Sequence, residues 1–180
     1  MKKLILFVLC SSLFIGCKKE MPTEEASAPP AATETEAPTE FADAKYSEIG
    51  KQSLAALTKG DMDSWMANYA DNAKYYWNYG DSLVGKPAID KYWRDRRANV
   101  IETITFETPI WLPIKVNKLE NVPVKGIWLL AWYKTTAKYK GGKSMTQWIH
   151  TAFHFDANDK IDEVNQYVDR ASINAAMAPK

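Results

Sequence analysis

The sequence predicts an α+β domain, on three observations. Helical spacing dominates residues 41 to 99, strand-forming runs fill 101 to 169, and a Gly141-Gly142 pair separates the two longest of those runs. In the helical half, Met62, Trp65, Met66 and Tyr69 fall at i, i+3, i+4 and i+7, one apolar stripe. In the other half, 127–139 and 143–155 are rich in Trp, Tyr, Ile, Thr and Phe, the residues that suit a pleated, half-buried surface.

The first helix spans 41–59, with Tyr46, Ile49, Ser53 and Leu57 on one face. Gly60 stops it, because a residue without Cβ takes the left-handed conformation freely. Asp61 then caps the next helix by accepting its free N–H groups. Asp71-Asn72 reads as the turn that ends this second helix. Tyr75, Tyr76, Trp77 and Tyr79 form a strand, Gly80-Asp81 turns it, and Ser82 to Val84 pairs back. Gly85-Lys86-Pro87 opens a third helix, with proline where no N–H is needed. Ile89, Tyr92, Trp93 and Arg96 form its inner face, and it runs to about Asn99.

Three pieces of this stretch occur in order: Gly60-Asp61, Tyr69-Ala70-Asp71-Asn72-Ala73 and Gly85-Lys86-Pro87-Ala88-Ile89. Together they resemble the opening of the NTF2-like superfamily, in particular its SnoaL-like members, over roughly residues 42 to 170. The resemblance implies a cone: three N-terminal helices packed on a curved, mostly antiparallel sheet, with a pocket at the wide end.

Downstream, 101–106 begins a strand, and Pro109 and Pro113 mark an edge or a bend within 110–116. A two-residue turn at Gly141-Gly142 would set the register of the main hairpin. It places Trp128, Leu130 and Trp132 on one face with Phe155, Phe153, Thr151 and Ile149. Leu129, Ala131, Tyr133 and Thr135 then share the other with His154, Ala152, His150 and Trp148. The first face is the more apolar and is expected to cover the helices. A second hairpin at Asn158-Asp159 leads into 161–169, and residues 171–180 form a small flexible tail.

Ahead of the domain, Lys2-Lys3 precedes an apolar run over 4–15, the length of a signal-peptide core. Gly16-Cys17 closes that run and resembles a bacterial lipobox; Cys10, after bulky Leu9, is the poorer match. The resemblance implies a signal peptide over 1–16, cleavage before Cys17 and lipidation of Cys17. The chain would then be tethered by lipid to a bacterial membrane, at the outer membrane, on its periplasmic or surface face. Residues 17–40 combine that anchor with a Pro, Ala, Thr and Glu-rich stalk that offers no core. Lys18-Lys19-Glu20 resembles the charged motif of surface-exported lipoproteins of Bacteroidota. The domain is expected over 41–170.

Composition narrows the chemistry. With 23 Lys and Arg against 22 Asp and Glu, the net charge is +1, too balanced to argue for nucleic acid. Both cysteines precede the domain, which excludes a disulfide, a thiolate metal site and a cysteine nucleophile within it. No metal or cofactor is expected. His150 and His154 stand four apart, about 13 Å on a strand, too far to share one ion.

Proteins of this superfamily that isomerise ketosteroids place an aspartate base early in the first strand. Counting from Ala73 puts Trp77 there, and indole cannot accept a proton. In SnoaL cyclases an acid acts from the last strand; here the late positions are the amides Asn165 and Gln166. Glu163 is the carboxylate of that strand that could face the pocket, although a solvent-facing strand residue needs no role. His150 could serve as a base beside Tyr133, its expected cross-strand neighbour, or lie at a subunit contact. The three arginines Arg94, Arg96 and Arg97 fit the C-terminal end of a helix dipole. Trp65, Tyr69, Tyr75, Trp77, Trp93, Trp128 and Trp132 are candidates for an apolar pocket lining.

Two functions remain in view. One is a cell-envelope lipoprotein whose domain binds a small apolar ligand or a protein partner without catalysis. The other is an isomerase, dehydratase or cyclase that uses His150, Glu163 or Tyr133. The resemblance also implies a homodimer through the outer sheet face, for which Tyr133, Trp148 and His150 are suited.

Overall fold

The computed structural model describes residues 37–119 and 124–178. The signal-peptide residues, Cys17 and most of the stalk lie outside the described residues. Strand β1 (Thr39–Phe41) comes first among the described residues. Helix α1 (Lys45–Lys59) follows and ends at Gly60, which has φ 75°. Helix α2 (Met62–Met66) is capped by Asp61, whose carboxylate accepts from the Ser64 N–H at 3.0 Å.

Strand β2 (Tyr69–Trp77) begins earlier than the sequence suggests. Asp71 and Asn72 lie within it rather than in a turn. The reason is that the helix stops at Met66 and the chain goes directly into pairing, with Ala73, Tyr75 and Trp77 facing the core. Strand β3 (Ser82–Val84) pairs back on β2, and helix α3 (Lys86–Asn99) carries Pro87 in its first turn.

Strand β4 (Ile101–Val116) is one long strand. Its register against β5 (Gly126–Tyr139) shifts between Glu107 and Ile110, around Thr108 with φ 47°. Pro109 therefore falls in a bulge, where a missing N–H costs no ladder bond. Strands β6 (Ser144–Phe155) and β7 (Ile161–Tyr167) complete a seven-stranded sheet in the order β1-β4-β5-β6-β7-β2-β3. Among the described residues only the β7–β2 pairing is parallel. Residues 170–177 form a helix, α4 (Arg170–Met177), not a flexible tail. Four helices are thus present among the described residues.

The β5–β6 register departs from the expectation by one residue. Tyr139 and Lys143 close the hairpin, so the loop holds Lys140, Gly141 and Gly142, and Gly141 takes the left-handed conformation (φ 69°). Three loop residues in place of two reverse every side chain downstream of the turn relative to its partner. Leu129 pairs with Phe153, Ala131 with Thr151 and Tyr133 with Ile149, and this is the face that covers the helices. Gly142 serves a different contact: a Cβ there would collide with the Ala176 carbonyl of α4. That carbonyl accepts from the Lys143 N–H at 2.8 Å.

Helix α1 lies across β4 and β5, and α3 lies against β2 and β4. Gly50 lets α1 come close. A Cβ there would sit 2.5 Å from the Trp111 ring and 2.8 Å from Leu129. Among the described residues no helix is long and apolar enough to cross a membrane.

The opposite sheet face carries Trp128, Leu130, Trp132, Trp148, His150 and His154. Trp128 is buried there in a small cluster with Val116 and Ala152, and its indole N–H donates to the Val124 carbonyl at 3.1 Å. His154 is buried between the Asp162 carboxylate (2.5 Å from Nδ1) and the Lys125 carbonyl (2.9 Å from Nε2). Gly126, at φ 111°, makes room for that ring, since a Cβ would approach Nε2 to 2.9 Å.

Candidate functional site

Aromatic side chains fill the concave side of the sheet and leave a cavity of about 300 Å³. That is the lower end of the range for small-molecule sites, and room for about ten waters at ~30 Å³ each. Strand β2 supplies Tyr75 and Trp77, whose rings are 4.6 Å apart. Tyr69 and Trp65 come from the junction of α2 and β2, with rings 4.8 Å apart, and Trp93 of α3 meets Trp65 edge-on at 5.5 Å. The sheet contributes Tyr133, Thr135 and Ile149 to the far wall. Helix α4 closes one side with Ile173, Asn174 and Met177.

One polar chain crosses this lining. The Trp77 indole N–H donates to the Gln166 side-chain carbonyl at 3.1 Å. The Gln166 amide donates to the Thr151 hydroxyl at 3.4 Å, and that hydroxyl shares a 2.7 Å hydrogen bond with Tyr133. Other polar atoms are left over. The Trp93 indole nitrogen and the Thr135 hydroxyl are buried without a partner among the described residues.

Burial sets the protonation of the tyrosines. It pushes the Tyr69 and Tyr75 hydroxyls well above the ordinary tyrosine range. Tyr133 is also raised by burial, although its hydrogen bonds to Thr151 and Gln166 act in the other direction. All three are therefore protonated at neutral pH and act as donors rather than bases.

The rim is charged. Arg170 lies 4.4 Å from the Tyr79 ring centroid and 3.6 Å from the Asp81 carboxylate. Arg96 lies over the Tyr92 ring at 5.6 Å.

Of the seven proposed lining residues, Trp65, Tyr69, Tyr75, Trp77 and Trp93 line the cavity, and Trp128 and Trp132 do not. The one-residue change in the hairpin puts those two on the outer face. The same change gives His150 another cross-strand partner. It pairs with Trp132 rather than standing beside Tyr133, stacks on that indole at 4.6 Å, and its Nδ1 is 3.0 Å from the Ala131 carbonyl. Glu163 is also outside: it pairs with His154 on the outer face and accepts from the Asn165 amide at 2.8 Å. Tyr133 alone of the three catalytic candidates faces the cavity, and for that reason it cannot belong to an outer-face dimer contact. No cluster of metal-ligating side chains occurs among the described residues.

A curved, mostly antiparallel sheet with four helices among the described residues and a cavity on its concave side defines an NTF2-like protein. The SnoaL-like domain profile matches residues 51–164, and the chain belongs to that family. Solved structures share the fold at low identity. A candidate polyketide cyclase from Pseudomonas putida matches with a TM-score of 0.60 and 15% identity, over 74% of this chain and 98% of that one. An LEH-like epoxide hydrolase from Mycobacterium tuberculosis matches with a TM-score of 0.55 and 15% identity, over 74% and 89%. A candidate isomerase from Bacillus subtilis matches with a TM-score of 0.57 and 17% identity, over 73% and 91%. No curated protein matches the chain in sequence.

Proposed function

We propose that this chain is a cell-envelope lipoprotein whose SnoaL-like domain holds a small, largely apolar ligand in the cavity without transforming it. The lining carries this reading. Its titratable groups among the described residues are tyrosines, two arginines and Asp81. The tyrosines with hydroxyls deep in the site are held protonated by burial. Asp81 is the carboxylate among them, and it sits at the rim with its side chain 63% exposed beside Arg170. A general base must reach the proton it takes, and its pKa must suit the working pH; this lining offers donors and apolar faces instead.

The test uses the purified chain and a panel of flat apolar compounds of about ten to fifteen non-hydrogen atoms, the size such a cavity holds. Binding is expected to quench tryptophan fluorescence, and mass spectrometry is expected to recover the compound unchanged. Conversion to an isomerised, dehydrated or cyclised product would favour the enzymatic reading, with the Tyr133–Thr151–Gln166 chain as the first group to mutate.

The anchor is a separate part of the proposal. The Gly16-Cys17 junction supports lipidation at Cys17. In the native host the protein is expected to partition into detergent, and Cys17→Ser to move it to the aqueous phase. A Cys17→Ser protein that stayed membrane-bound and was processed at the same site would count against the anchor. The outer sheet face is the proposed homodimer surface, supported by Trp148 and Tyr167, 55% and 54% exposed beside His150.

A further inference from the structure

We infer that the ligand is a flat aromatic monocarboxylic acid, held by its carboxylate on Arg96 at the mouth with its ring among the aromatic side chains of the lining. The inference rests on the reading of the cavity as a ligand site and adds the chemistry of what enters it.

The starting point is the last turn of α3, where three arginines have three different surroundings. Arg94 is spent on carboxylates, bonding to Asp90 at 2.7 Å and to Asp63 at 2.5 Å. Arg97 reaches the backbone carbonyls of Ile101 and Thr58. Arg96 is half-buried, lines the cavity, and makes no hydrogen bond or ion pair among the described residues. Its one specific contact is the Tyr92 ring. A guanidinium presents five N–H donors in a planar fork that matches a carboxylate in a two-bond geometry. Partial burial strengthens such a pair relative to one in open water.

The charge balance at the mouth points to an anion. Asp81 and Arg170 face each other, which leaves the charge of Arg96 uncompensated among the lining groups. The rings of Trp77, Tyr75, Tyr92 and Tyr79 line the same cavity and suit a flat body. A cavity of about 300 Å³ limits that body to one or two rings.

The experiment titrates the purified chain at pH 7 with 4-hydroxycinnamate, an ionised aromatic acid, and with the neutral 4-hydroxycinnamamide. Heat on mixing is the readout. Wild-type protein is expected to bind the acid at least tenfold more tightly than the amide, with the difference shrinking as salt is added. Arg96→Gln should abolish the preference while leaving amide binding in place, and Arg96→Lys should keep part of it. Equal affinity for acid and amide in the wild type, or an undiminished preference in Arg96→Gln, would overturn the inference and leave the ligand-site reading standing. Binding of neither compound would overturn both.

Discussion

Leu129→Asp is expected to unfold the domain, and Leu130→Asp to leave it folded. The two leucines are adjacent on β5 and differ only in the face they occupy. Leu129 has no exposed surface and packs beneath Gly50 of α1. Removing a buried leucine side chain costs about 2–5 kcal/mol. Placing a carboxylate there without a partner adds several kcal/mol, or forces it to take up a proton. The sum is of the order of the whole stability of a typical domain, about 5–15 kcal/mol. Leu130 is half-buried on the outer face, opposite Ala152 and Leu112. A carboxylate there can turn to water, so its cost stays near that of an ordinary destabilising change, about 1–2 kcal/mol. Far-UV circular dichroism melts of the two variants decide the matter. A folded Leu129→Asp with an unfolded Leu130→Asp would restore the two-residue turn and the opposite face assignment.

That pair of residues also shows which parts of the fold were legible. Helix boundaries were readable at Gly60, Asp61 and Pro87 because each acts on its own neighbours, through a left-handed φ, a side-chain cap and a missing N–H. The face of the β5–β6 hairpin was not, because it depends on whether one loop residue is counted into the turn. Two adjacent glycines suggest a two-residue turn. Here only Gly141 serves the turn, and Gly142 is small because α4 sits against it. That is a tertiary reason which local pattern cannot supply. Helix α4 did leave a trace: Asp169 before it, and Ile173, Ala176 and Met177 at i, i+3 and i+4. Asp169 caps the helix by accepting from the Ala171 N–H at 2.9 Å. Its alanines and its position at the end of the chain hid that spacing.

The candidate site divides along the same line. Residues on α2, β2 and α3 were assigned to the cavity from local spacing, and Trp65, Tyr69, Tyr75, Trp77 and Trp93 line it. The assignments on β5 relied on the hairpin, and one parity governs them: Trp128 and Trp132 went to the outer face and Tyr133 to the cavity, while His150 stayed on the outer face and lost Tyr133 as its neighbour. Thr135 was assigned to the opposite face for the same reason, whereas Thr151 was placed on the face that covers the helices, where it lies. Spacing already placed Arg96 on the inner face of α3, but the sequence did not show which of Arg94, Arg96 and Arg97 lacks a partner. What separates them is Asp63 on another helix and the Thr58 carbonyl of α1, which occupy its two neighbours.

The second large effect concerns Trp77, where the isomerases of this superfamily are expected to keep a base. Trp77→Asp should lose stability and gain no isomerase activity. The indole is 8% exposed and packs against Tyr75 at 4.6 Å, Tyr92 at 5.2 Å and Tyr79 at 6.0 Å. Removing such a ring costs about 3–5 kcal/mol by analogy with Trp→Ala. The Gln166 carbonyl also loses its donor, and an acid would face aromatic rings where an indole N–H had been satisfied. At about 2–8 °C per kcal/mol, the melting temperature should fall by roughly 10 °C or more. The wild-type domain, with indole in that position, should not isomerise a ketosteroid, because no side chain there can take the proton. The variant should not either, because its carboxylate would stand among the Tyr75, Tyr79 and Tyr92 rings without a partner, and lost stability should appear before any activity does. A thermal melt and a steroid isomerisation assay on both proteins provide the check. Isomerase activity in the wild type would refute the assignment of Trp77 to the base position. A variant as stable as the wild type would show that this ring contributes little to the core, and that the cavity around it is already wide enough to admit water.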